Sequence, residues 1–215
     1  MLQTETVERN TLELLKKLML DEQVSNFFLA GGTNLALQIG HRKSIDLDLF
    51  PNAPFDAQKL ERYLIEKYHF ISQRVMEKNT VVGFINGIKL DFVSHIYPLL
   101  YPPFVDEGVR MYSLQDVASM KLVAISDNGT RLKDFVDIAY LSTKISLMDM
   151  FSSYVKKYSR PNYFHAAKGL SFFEEINFNS SIELCNGKPF DWNKIENRIR
   201  EMFKFETKIF ETTPI

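Results

Sequence analysis

The segment FFLAGGTNLALQIGHRKSIDLDLF, residues 27–50, places two glycines directly after an apolar run and two aspartates, one residue apart, inside another. Neither feature serves a core. Gly31 and Gly32 give up backbone entropy, and Asp46 and Asp48 bring like charges together on a run otherwise suited to burial. NFFLA predicts a short buried strand entering the glycines, and TNLALQI a short helix stopped by Gly40. SIDLDLF alternates strictly, with Ile45, Leu47 and Leu49 on one face of a strand and Ser44, Asp46 and Asp48 on the other. Strand, Gly-Gly turn and helix bring a helix N-terminus, with its unpaired N–H groups, beside the end of a sheet. That arrangement suits an anion, glycine admits close approach, and Thr33 adds a hydroxyl. A glycine pair alone before a helix is more often ordinary turn chemistry.

The aspartates say more. Two carboxylates two residues apart on a strand share a face, about 7 Å apart along the backbone. Their repulsion raises one pKa unless a positive charge lies between them. A hard divalent ion such as Mg²⁺ resolves this, because it takes oxygen ligands and leaves positions for phosphate oxygens. An exposed edge strand with its polar face toward water is the plainer alternative. Asp91, in IKLDFV, is a third acid in a strand-like run. Beside SIDLDLF in the same register it completes a triad able to hold two metal ions, or to take a proton as general base.

Outward from this segment the chain reads in two parts. Residues 5–20 have helical apolar spacing, as do 56–68, where Leu60, Tyr63 and Leu64 form the inner face. Residues 70–96 hold strand-like runs around Asn86-Gly87, a hairpin signal. YPLLYPPFVDEG, residues 97–108, reads as a surface loop. From Ser113 onward the pattern is helical: Ser113, Thr130, Ser146 and Asp191 are N-cap candidates, and Pro161 a helix start. The expected organisation is α+β (mixed α/β): a core of residues 1–112, then a helical region of residues 113–215.

The 215 residues suffice for a sizeable core, and 45% hydrophobic with 25% charged residues is ordinary globular composition. A net charge of −1 excludes a global basic field, though not a local patch. The single cysteine, Cys185, excludes an intramolecular disulfide and fits a reducing compartment. The N-terminal acids and helical spacing are unlike a signal peptide, and no apolar run spans a bilayer. The expectation is a cytoplasmic protein without membrane attachment.

GGTNLALQIGHRKSIDLDLF, with the later IKLDFV, resembles the signature of the polymerase-β-type nucleotidyltransferase superfamily. More narrowly, LAGGTNLAL, HRKSIDLDLF, IKLDFV and SLQDVASMKLVAISDNGTRLKDFVDIAYL together resemble the AbiEii toxin-like nucleotidyltransferases. The resemblance implies an N-terminal nucleotidyltransferase core, its mixed twisted sheet flanked by helices, and a C-terminal helical bundle. It implies transfer of an NMP group from an NTP, with Mg²⁺ or Mn²⁺. Asp46, Asp48 and Asp91 match the metal-binding and catalytic carboxylates. Gly31, Gly32 and Thr33 match the phosphate-contacting turn, and Arg42 and Ser44 fall in the same motif. Lys121 matches a lysine that meets the triphosphate, and Asp134 and Asp137 the later acidic motif. The partners implied are an RNA acceptor such as tRNA and a cognate antitoxin. A small-molecule nucleotidyltransferase and a nucleotide-binding regulator without turnover are the alternatives.

Several residues read two ways. Lys121 and Arg131 are cations for the triphosphate, although a lysine near an apolar face ordinarily snorkels to solvent. Arg42 either reaches the phosphates or offsets the acidic strand. Asp134 equally suits holding Lys121 or Arg131 in place. Lys133 and Asp137, four apart, read as a helix-surface ion pair. His41 and His95 read as polar fill. VKKYSRPNYFHAAK mixes Lys156, Lys157, Arg160 and Lys168 with tyrosines, as a groove for an RNA end or nucleotide or as a solvated helix face.

Overall fold

Asp56 accepts from the Lys59 amide and Ser113 from that of Asp116, each capping a helix where its side chain replaces a missing backbone partner. The computed structural model describes residues 1–51, 53–73 and 79–215. Its helices are α1 (Arg9–Met19), α2 (Gly31–Ile39), α3 (Ala57–Tyr68), α4 (Leu114–Asp127), α5 (Leu132–Leu141), α6 (Leu147–Tyr158), α7 (Phe164–Ser171) and α8 (Trp192–Lys204). Its strands are β1 (Phe28–Leu29), β2 (Leu47–Phe50), β3 (Ile71–Ser72), β4 (Thr80–Ile85), β5 (Ile88–Val93), β6 (Phe104–Asp106) and β7 (Val109–Met111). They form one mixed sheet in the order β3-β4-β5-β2-β1-β7-β6. The β2–β5 and β1–β7 pairs are parallel and the rest antiparallel.

The alternation in β2 and β5 buries Leu47, Leu49, Leu90 and Phe92 completely. They pack in one cluster with Leu15 and Leu18 of α1 and with Leu60 and Leu64 of α3. A second cluster joins Leu35 of α2 to the apolar faces of α4, α5, α6 and α8. Helix α2 thus joins the two clusters, with Leu37 in the first and Leu35 in the second. Among the described residues no helix is long and apolar enough to cross a membrane.

Asn86 and Gly87, at φ 51° and 79°, close the β4–β5 hairpin with both residues left-handed, as a two-residue turn of this kind requires. Gly40, at φ 70°, ends α2 in the same conformation. Ser146 and Asp191 cap α6 and α8 as their sequences suggest.

Other expectations give way. The 97–108 run is not all loop: β6 and β7 form a hairpin across Glu107-Gly108, and β7 pairs with β1. Two- and three-residue strands leave too few alternations to be read locally. Arg131, not Thr130, occupies the N-cap of α5, and α7 starts at Phe164 rather than after Pro161. Helix α1 starts only at Arg9, after a 3₁₀ turn at Thr4–Thr6. Part of the strand-like run ahead of the hairpin, residues 74–78, lies outside the described residues.

Candidate active site

Strand β2 is shorter than SIDLDLF suggests. Ile45 is 54% exposed and Asp46 lies just ahead of the strand, so the alternation holds only from Leu47. Thr33 explains the break: its hydroxyl donates to the Asp46 carbonyl and shares a 2.8 Å hydrogen bond with Ser44 Oγ. Those contacts tie the segment to the first turn of α2, while the Ser44 amide donates to the Thr6 carbonyl in an isolated bridge with Val7. The other end of β2 keeps its register, and Asp48 stands directly opposite Asp91 in the parallel β2–β5 pair.

Helix α2 begins on the first of the two glycines, not after both. Gly31 has φ +64°, and a Cβ there would overlap Oδ2 of Asp48. A Cβ at Gly32 would press on the Arg42 guanidinium. The first is needed for backbone conformation and carboxylate approach together, the second for a cation.

Asp48 is only partly open to solvent, and that enclosure pushes its carboxyl up to about 6. Lys121 opposes the shift, while the charges of Asp91 and Asp46 add to it. Asp91 takes a 2.7 Å ion pair from Lys89 on one oxygen, and its buried Oδ1 has no hydrogen-bond partner. Among the described residues no three His, Cys, Asp or Glu side chains are drawn together as a ready metal cage. The donor set nevertheless suits a hard divalent ion: facing carboxylates, an unpartnered buried oxygen, and a proton affinity raised partly by mutual repulsion.

The cations expected to meet phosphate are largely committed elsewhere. Arg42 clasps Asp137 with both Nε (2.7 Å) and Nη2 (2.9 Å). Lys121, buried, lies 2.5 Å from Asp134 and 2.8 Å from Asp137. His41 Nε2 reaches Asp137 at 2.7 Å, and burial keeps that imidazole below its usual pKa. Burial alone would raise the Asp137 carboxyl, but Arg42 and Lys121 hold it well below the carboxylate range. The Lys133–Asp137 surface pair is therefore absent: the sequence pattern saw the helix spacing, while Asp137 faces inward to three partners from α4 and the α2–β2 connection. Lys157 is also misread as groove or solvated face, since it is fully buried against Asp116 at 2.7 Å.

A cleft of about 180 Å³ gathers Gly32, Ser44, Asp46 and Asp48 with edges of Arg42 and Lys121. Arg131, 65% exposed and 3.6 Å from Asp134, stands on its wall with Lys133. The far wall comes from Ser181 and Glu183, on a segment fixed by the Lys43 amide donating to the Glu183 carbonyl. Sequence reasoning missed His41, Lys133 and this C-terminal wall. No local signal marks His41 or the wall, since Asp137 and Lys43, which they meet, lie tens of residues away in the chain.

Facing aspartates on parallel strands beside a glycine-started helix N-terminus form a site suited to a metal-bound phosphate, and so to a phosphoryl- or nucleotidyl-transferring protein. The chain belongs to the family described as nucleotidyl transferase AbiEii toxin, type IV TA system, which it matches over residues 13–205. It is 32% identical over 208 residues to an uncharacterised protein of Aquifex aeolicus (strain VF5), covering 94% of this chain and 96% of that one. Its fold is similar to a candidate nucleotidyltransferase from H. pylori at a TM-score of 0.56 and 17% identity, over 93% of this chain and 96% of that chain. It is also similar to JHP933 from Helicobacter pylori, at 0.53 and 16%, over 94% and 93%.

Gly31→Ala tests the turn. The substitution forces an L side chain into a left-handed conformation and pushes the Asp48 carboxylate aside. Transfer should fall by about 10²-fold, the scale of a displacement of about 1 Å at a reacting centre. Single-turnover rates and a melting curve check it, and a fully active variant would remove Gly31 from the site.

Proposed function

We propose that the protein moves an NMP group from an NTP to an acceptor hydroxyl on an RNA such as tRNA, in the cytoplasm, as the toxin of a toxin–antitoxin pair. The observation carrying the transfer chemistry is the Asp48–Asp91 register beside the Gly31 start of α2. Membership in a family described as the toxin of a type IV TA system supports the toxin role and a cognate antitoxin; the RNA acceptor is what the motif resemblance implies.

Asp46, Asp48 and Asp91 would hold the divalent ion, Mg²⁺ or Mn²⁺. When bound, that ion neutralises phosphate charge and lowers the pKa of a nearby hydroxyl. The first-turn amides of α2, at Gly31, Gly32 and Thr33, donate toward phosphate oxygens, with Ser44 alongside. Arg131 and Lys133 are the more exposed cations on the cleft wall and meet the outer phosphates. Arg42 and Lys121, paired with Asp134 and Asp137, add positive potential from beneath rather than a free contact. The acceptor oxygen attacks the α-phosphorus in line, the bond to pyrophosphate breaks, and the hydroxyl proton passes to a carboxylate oxygen of the triad not engaged by the ion. Positioning and charge neutralisation supply most of the rate.

The test is Mg²⁺-dependent labelling with each α-³²P-labelled NTP and total cellular RNA. Wild type should label an RNA band, and the Asp46→Ala/Asp48→Ala variant should not. Label confined to protein or a small molecule would replace the acceptor. Nucleotide binding with no label anywhere would replace the transferase with a regulator.

A further inference from the structure

Strand β2 continues past Asp48 to Phe50, which lies two residues on and shares its face, about 7 Å along the backbone. The Phe50 ring stacks on His95, with centroids 6.1 Å apart and planes at 25°. Tyr97 lies 5.2 Å from His95, and Tyr158 of α6 lies 4.6 Å from Tyr97. His95 is also flanked by fully buried Tyr112 and by Tyr158, and Phe50 and Tyr158 pack against the helical core, so Tyr97, 45% exposed beside Ile96 at 68%, is the ring that carries this group to the surface. Burial holds the His95 imidazole down at about 4, neutral at physiological pH, and its buried Nε2 has no hydrogen-bond partner.

The segment is held in place at a cost. Fully buried Lys157 pairs with Asp116 at 2.7 Å and donates to the Pro98 carbonyl, while Asp116 accepts from the amides of Leu100 and Tyr101. A buried ion pair gains little net stability, so its structural result is what stands out: a proline-rich run is fixed rather than loose. The His95 amide is pinned to the Pro51 carbonyl, which fastens the run to the end of β2.

We propose that His95 and Tyr97, backed by Phe50 and Tyr158, form a stacking shelf for a nucleobase beside the carboxylate pair. The proposal rests on the nucleotidyl-transfer reading. Its position follows from strand direction: Ser44 and Asp46, ahead of Asp48, line the basic cleft, whereas Phe50 and His95 lie beyond the carboxylates. A phosphate at Asp48 and Asp91 then has a charged cleft on one side and, past Phe50, the aromatic group on the other. The exposed Tyr97 ring, with the unpartnered His95 Nε2 just beneath it, suits a heterocycle better than a hydrocarbon. The base belongs either to the donor NTP or to the end of a nucleic-acid acceptor, and the two are separable by experiment.

The test measures binding of the α,β-methylene analogue of each NTP, and of inorganic tripolyphosphate, to wild type, Tyr97→Ala, Tyr97→Trp and His95→Leu. For a donor base, Tyr97→Ala and His95→Leu weaken the preferred nucleotide by about 5- to 50-fold, the scale of one lost base–aromatic stack. Tripolyphosphate binding stays unchanged, and Tyr97→Trp restores the nucleotide. For an acceptor base, analogue affinity holds while KM for the labelled acceptor rises by the same factor at constant kcat. The shelf is overturned if neither quantity moves, or if tripolyphosphate weakens in parallel with the nucleotide. Wild type binding neither ligand, and labelling nothing, would remove the transferase reading and the shelf with it.

Discussion

Asp48→Asn should abolish transfer, by at least about 10³-fold, and leave the fold as stable as wild type or more so near neutral pH. The rate loss corresponds to about 4 kcal/mol of transition-state stabilisation, within what a charge-neutralising ion and its ligand supply. The stability gain follows from the carboxyl's position. Enclosure, with Asp91 and Asp46 nearby, lifts it from 3.8 to about 6. Between those values the folded chain holds a proton that the unfolded chain has released. This group therefore favours folding fully below about pH 4, and its contribution is lost as pH rises through 6. By pH 7 the ionised carboxylate costs on the order of 2–3 kcal/mol, which asparagine avoids.

Melting curves in EDTA from pH 4 to 8 read this directly: the wild-type curve should decline relative to Asp48→Asn between pH 4 and 6. Added Mg²⁺ should raise the wild-type midpoint at pH 7.5 and leave the variant unmoved, because only the native carboxylates bind it. A variant that melts lower than wild type throughout would show that Asp48 serves the fold instead.

Asp137→Ala is the opposite case, a loss of fold first and of activity as a consequence. Asp137 receives Arg42, Lys121 and His41, all buried. Its removal leaves two cations enclosed without their main counter-charge, a change that costs about 3–5 kcal/mol. For a chain of this size that lowers the midpoint by about 10 °C or more. Lys133→Ala, by contrast, should move it by less than about 0.5 kcal/mol, since Lys133 stands on the cleft wall. Calorimetry on the two variants separates the inward network from a helix-surface pair: similar small shifts would refute the network. Replacing Arg42 and Asp137 together by methionine and leucine should recover part of the loss, as no charge is then left unpaired.

Much of the secondary structure was readable because its causes are local. Gly40 ends α2 because a left-handed residue is needed there, and Asn86-Gly87 closes a hairpin for the same reason. Ser113, Ser146 and Asp191 cap helices by reaching amides two or three residues on. The failures have one character. β6 and β7 are too short to show a period, and β7 joins the sheet through β1, some eighty residues earlier. The strand before Asp48 starts late because a threonine from the preceding helix captures the Asp46 carbonyl.

The candidate site divides in the same way. Sequence alone determined the glycine pair, the Asp-x-Asp spacing and the third acid in IKLDFV, since each is a pattern within a few residues and its chemistry follows from residue type. Tertiary structure decided that Asp48, rather than Asp46, faces Asp91, because register is a property of two strands together. It also decided which acid each cation serves. Arg42 and Asp137 are 95 positions apart, and Lys157 and Asp116 are 41. A charge is long-ranged and indifferent to chain order, so its partner is chosen by the packing that buries it.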